Sequence, residues 1–158
     1  MALPQECLES LAKKYGMEIK GDIWANPENE RHVSIHLDKI LVIPELGTLK
    51  NEFGAGVEIV NWKKIAETYG KKEFKPYNYE VRVYVSAHGY ETFWMRRTLQ
   101  GNDIHALLRQ ACSIIEGEYN KWLGFLERKK RRLLGREEGL WKWVFLIPIA
   151  GLFLFRRR

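Results

Sequence analysis

The chain has 158 residues, of which 46% are apolar and 13% aromatic, with six tryptophans. Such a composition excludes a disordered chain and leaves room for one domain of about 100–130 residues plus an appendage. The net charge of +6 belongs to one end: residues 1–120 hold 15 Lys+Arg against 17 Asp+Glu, and residues 121–158 hold 11 against 3. That asymmetry points to a membrane or nucleic-acid contact made by the tail, not by the body.

Pro4–Tyr15 predicts a first helix, with Cys7, Leu8, Leu11, Ala12 and Tyr15 at helical spacing and Gly16 as its stop. Met17–Trp24 suggests a short strand turning at Gly21 and Asp22, followed by a polar loop over Asn26–Glu30. Arg31–Ile43 is the clearest early strand, because His32, Ser34, His36 and Asp38 alternate with Val33, Ile35 and Leu37. Leu46–Gly56 is turn-rich, with Gly47, Gly54 and Gly56, and leads into a short strand over Gly56–Val60. Asn61 is placed to cap a helix from Trp62 to Tyr69, stopped by Gly70.

Tyr79–Ala87 is a strong strand with Val81, Val83 and Val85 on one face and Arg82 and Tyr84 on the other. A turn at His88 and Gly89 returns Tyr90–Leu99 as its hairpin partner. Asn102 or Asp103 then caps a long helix whose stripe runs through Ile104, Leu107, Leu108, Ala111, Ile115, Trp122 and Leu126. Extended to Leu134, that helix is about 45 Å long, more than the sheet it covers. Cys7 and Cys112 both fall on apolar helix faces, and two cysteines make no disulfide framework. The expectation is two buried free thiols in a reducing compartment. The N-terminal stretch lacks a basic region followed by an apolar core, so the body is expected to stay on the side where it is made.

The last segment carries the sharpest physical requirement. Leu140, Trp141, Trp143, Val144, Phe145, Leu146, Ile147, Ile149, Leu152, Phe153, Leu154 and Phe155 form an apolar run interrupted by a single charge, Lys142. As a helix this run spans roughly 24 Å against a hydrocarbon core of about 30 Å, short for a full crossing. Snorkelling by Lys142, interfacial Trp141 and Trp143, and local thinning of the bilayer absorb the difference. The run is apolar all round, which argues against a helix lying on the surface; a single span is the reading, with shallow or re-entrant insertion and burial in a partner protein as the alternatives. Arg128, Lys129, Lys130, Arg131, Arg132, Arg136 and Lys142 precede or enter it, and Arg156, Arg157 and Arg158 follow it. These cations are the candidate contacts for anionic lipid or phosphate, and their imbalance keeps the body in the cytoplasm.

Chemistry-bearing motifs are missing: there is no CxxC pair, HExxH, GxSxG, P-loop or GxGxxG. His32 and His36 share a strand face with Asp38, but four residues of strand separate them by about 13 Å, too far for one metal ion. Gly54-Ala55-Gly56 is too short for a phosphate cradle, and Arg96-Arg97 beside Phe93 and Trp94 serves equally to stack on a base or to guard a sheet edge. The expectation is an α+β body over residues 1–127 with a small, mostly antiparallel sheet, short helices and one long C-terminal helix. A basic juxtamembrane linker follows over 128–139 and a membrane anchor over 140–158. No catalytic, cofactor-binding or metal-binding residue is assigned. The function expected is a non-enzymatic, membrane-anchored adaptor or assembly component presenting its cytoplasmic body to a protein partner or larger complex. The alternatives are a nucleic-acid-binding protein using Arg128–Arg136, or an enzyme with an unrecognised site.

Overall fold

Period-two alternation in the strands and a helical stripe in the last third build two layers against each other. The structure, a computed structural model, describes residues 2–156, with side chains described for residues 2–135. In order, the elements are α1 (Glu6–Tyr15), β1 (Glu18–Gly21), β2 (His32–Val42), a 3-10 turn (Pro44–Leu46), β3 (Lys50–Asn61), α2 (Trp62–Thr68), β4 (Tyr79–His88), β5 (Phe93–Gly101) and α3 (Ile104–Arg156). The strands form one five-stranded meander, β1-β2-β3-β4-β5, in which every neighbouring pair is antiparallel. The α+β class with a long C-terminal helix is therefore what the chain adopts.

The inner face of the sheet is formed by alternate residues. Val33, Ile35 and Leu37 of β2, Phe53, Ala55, Val57 and Ile59 of β3, and Val81, Val83, Val85 and Ala87 of β4 are all buried. Against them lies the stripe of α3, Ile104, Leu107, Leu108, Ala111, Ile115, Tyr119, Trp122 and Leu126, together with Leu8, Leu11 and Ala12 of α1. Towards the far end of this stripe is an aromatic cluster: Phe53 sits 5.1 Å from Tyr119 and 5.5 Å from the fully buried Trp122, and Tyr15 stacks at 4.7 Å from Tyr119. Edge-to-face and tilted aromatic pairs of this kind add about 0.5–1.5 kcal/mol each beyond the area they bury.

Local capping matches the expected boundaries. The Asn61 side chain accepts from the Lys64 N–H at 2.9 Å, and Asp103 Oδ1 accepts from the N–H groups of His105 and Ala106. Gly16 ends α1 at φ +63°, a left-handed conformation that suits glycine. Three expectations need correction. The turn-rich reading of Leu46–Gly56 gives way to a twelve-residue strand beginning at Lys50, because Gly54 and Gly56 lie in extended backbone within the sheet. The second hairpin strand begins at Phe93 and not at Tyr90, whose N–H is taken by Asn51 Oδ1 and whose hydroxyl donates to the Leu46 carbonyl.

The third correction is chemical. Cys7 and Cys112 are joined in a disulfide, with S–S 2.02 Å and Cα–Cα 6.3 Å, and are not free thiols. An apolar helix position is the same in sequence whether a thiol is buried alone or faces another. Only the side-by-side packing of α1 and α3 brings the two together. In the chain-entropy account a bridge closing a loop of this length stabilises the fold by on the order of 4–5 kcal/mol. Reduction, or Cys7→Ser with Cys112→Ser, is expected to lower the unfolding free energy by up to that amount in denaturant titration. The unreduced chain, unfolded and alkylated, should carry no label on either cysteine; labelling of both would refute the bridge.

Candidate functional site

Two surfaces collect the polar and charged residues that the sequence singles out. The first is the outer face of the sheet, opposite α1 and α3. The second is the stretch of α3 beyond Leu126, its last buried residue among the described side chains.

On the outer face, Gly54 and Gly56 leave the middle of β3 without side chains. A Cβ at Gly56 would lie 3.1 Å from His36 Nδ1, and one at Gly54 would lie 3.4 Å from both Asp38 Oδ1 and Ser86 Oγ. The flanking side chains thus lean over bare backbone and frame a shallow trough of about 340 Å³ between His36 and Asp38 on β2, Tyr84 and Ser86 on β4, and Trp94 on β5. Trp94 is 78% exposed. Beside it Arg96 sits over the Tyr84 ring at 5.5 Å, a cation–π contact that keeps its guanidinium on this face.

The carboxylates at one end of the trough are already engaged. Arg82 Nη2 donates to Glu80 Oε2 at 2.7 Å and Nη1 lies 3.7 Å from Glu58 Oε2, which also accepts from the Tyr84 hydroxyl at 3.3 Å. Glu80 is buried, and that guanidinium is its ion-pair partner. His36 Nε2 lies 3.4 Å from Ser34 Oγ. A serine beside a histidine becomes a nucleophile only with a group orienting the other ring nitrogen and donors for an oxyanion. Among the described residues no carboxylate bonds to His36 Nδ1. Also among the described residues, no three His, Cys, Asp or Glu side chains are placed to hold a metal ion. His32 and His36 do share the outer face, as alternation predicts.

On α3 the basic cluster divides. Lys129 turns to the body, its ammonium 5.1 Å from the Tyr90 ring, and Lys130 pairs with Glu45 of the 3-10 turn at 3.1 Å. The Glu45 carboxyl is held below the usual carboxylate range by its own backbone N–H and by Lys130. Arg131 pairs with Glu127 one turn back at 3.6 Å. Arg128 and Arg132, one turn apart, flank a groove with Phe125 and Leu133, and neither has a carboxylate partner among the described residues. Arg136, Lys142, Arg156, Arg157, Arg158 and the whole apolar set from Leu140 to Phe155 lie outside the described side chains. Among the described residues no helix is long and apolar enough to cross a membrane.

No family model, curated protein or solved structure matches the chain. The trough was not legible as a site, since its residues come from four strands and are spread from His36 to Met95 in sequence. The one available signal was the pairing of two glycines with polar alternation in the flanking strands. Arg82→Ala should cost about 1.5–3 kcal/mol, the range for a hydrogen bond to a charged group. Adding Glu80→Gln should restore part of that loss in thermal unfolding. A neutral effect of Arg82→Ala would mean that the guanidinium is not what holds these carboxylates.

Proposed function

We propose that the protein is a non-catalytic adaptor or assembly component tethered to a membrane through its C-terminal segment. The observation that carries this reading is the double use of α3. Its first half is the core of the body, and the same helix carries the basic cluster towards the apolar run of residues 140–155. A tail that must leave water is thereby joined to the body without an intervening loop. Arg128 and Arg132 are the cluster's described cations with neither a carboxylate partner nor a cation–π contact and are the ones best placed to meet anionic headgroups. Each such cation contributes about 1 kcal/mol near an anionic surface.

The cation imbalance across the apolar run argues for a body on the cytoplasmic side. That side agrees with the disulfide only where intracellular disulfides persist, as in hyperthermophiles; elsewhere the bond calls for the oxidising side. Protease accessibility of the body in sealed vesicles reads the side directly.

The tether is tested by fractionation. The full chain should remain in the membrane pellet after alkaline carbonate, and a chain ending at residue 139 should not. Equal release of the two removes the integral anchor. On vesicles rich in phosphatidylserine, Arg128→Glu with Arg132→Glu should weaken binding by on the order of tenfold or more, and the loss should shrink at high salt.

A further inference from the structure

The two edges of the sheet are built differently. β1 is four residues long and covers only Ile35–Asp38 of β2. β5 is nine residues long and pairs one-for-one with β4 from Phe93↔Ala87 to Tyr79↔Gly101, with no bulge and no proline. Among the described residues no strand lies beyond it, so alternate main-chain N–H and C=O groups along its outer side are unpaired within the sheet. A long, regular edge is the arrangement that accepts an added strand.

Under this edge, between β5 and α3, runs an open groove of about 600 Å³ lined by Arg97 and Leu99 from the strand and by Arg109, Gln110 and Ile114 from the helix. Among the described residues two arginines and no carboxylate line it. Arg96 adds a third cation on the opposite face of the same strand. Among the described residues none of Arg96, Arg97 and Arg109 forms an ion pair. The body as a whole carries slightly more acid than base over residues 1–120, so this concentration of unpaired arginine is local.

The same arginines decide who can pair. A second copy docking β5 against β5 about a two-fold at the middle of the strand would set Arg97 opposite Arg97, a like-charge cross-strand pair that destabilises. A strand bearing carboxylates on the groove side would meet Arg97 and Arg109, and its apolar residues, alternating onto the other face, would lie on the side of the exposed Trp94. We infer that β5 and the groove beneath it receive an extended acidic peptide segment of a partner protein as a sixth strand. Main-chain hydrogen bonds to the edge would hold it, and the arginines would select its charge. This inference deepens the adaptor reading by giving the partner a chemistry, and it stands whether or not the tail enters a membrane.

The probe is a capped peptide of alternating glutamate and valine, about eight residues long, within the usual range for strands. It is titrated onto the full chain in mild detergent. Three comparison ligands are the lysine–valine peptide, the glutamate–valine peptide N-methylated at alternate residues, and oligothymidylate. Binding of the first, with little binding of the other three, is the expected result. Arg97→Glu with Arg109→Glu should weaken it roughly tenfold or more, chiefly through charge at the rim. Both residues are exposed, and Arg97→Gln with Arg109→Gln provides a milder pair should the reversal disturb folding. No binding of the glutamate–valine peptide overturns the inference. Equal binding of the N-methylated peptide or of oligothymidylate overturns it too, since charge alone would then suffice. Every core residue buried among the described side chains lies at or before Leu126, and the edge and groove lie within residues 93–114, so removal of residues 140–158 should leave peptide binding unchanged. Failure of the tether and failure of the edge are thereby read separately.

Discussion

The fold rests on a match of lengths between one helix and one sheet. The buried stripe of α3, from Ile104 to Leu126, extends about 33 Å at 1.5 Å per residue. The ten-residue strand β4 beneath it extends about 34 Å. The stripe shares one core with the valines and alanines of β3 and β4, and Trp122 with Phe53 closes the far end. Without α3 the inner face of β3, β4 and β5 would lie in water, and a sheet this small has no second layer to replace it. α1 completes the layer over the remaining strands and is bonded covalently to α3.

Because the side-chain period of a strand is two, committing one face to α3 commits the other to solvent. That outer face is polar but not uniformly so. Arg82 gathers Glu58 and Glu80 into a structural knot at one end, while Gly54 and Gly56 leave the centre shallow. Glycine in a strand interior costs about 0.5–1 kcal/mol relative to alanine. Here it lets His36, Asp38 and Ser86 occupy space above a neighbouring strand that any larger residue would fill. The arginines of β5 fall on both sides of this division, Arg96 with Tyr84 above and Arg97 with Arg109 below.

Much of this could be read from the chain alone where the signal is local. Alternation at His32–Leu37 and Tyr79–Val85, the caps at Asn61 and Asp103, and the stripe from Ile104 to Leu126 each depend on residues within a few positions of one another. β3 was obscured because glycine signals a turn in sequence, whereas at Gly54 and Gly56 it serves cross-strand neighbours 16 to 32 residues away, Asp38 and Ser86. The disulfide needed knowledge of which helices pack together, a tertiary fact. The trough and the groove under β5 are likewise products of register. Neither Trp94 nor Arg109 has a neighbour in sequence that would betray its partners.

The bridge between Cys7 and Cys112 has a mechanical consequence. It links the first turn of α1 to the middle of the buried part of α3, and all five strands lie in the chain between these two cysteines. Tension applied between the two ends of the chain would pass from residue 7 to residue 112 through the sulfur bond and then along the axis of α3. The chain between the two cysteines, which are 105 positions apart, would be bypassed. While the bond is intact, pulling extends only the short leading segment and the helix itself. Reduction would put the whole sheet into the line of force.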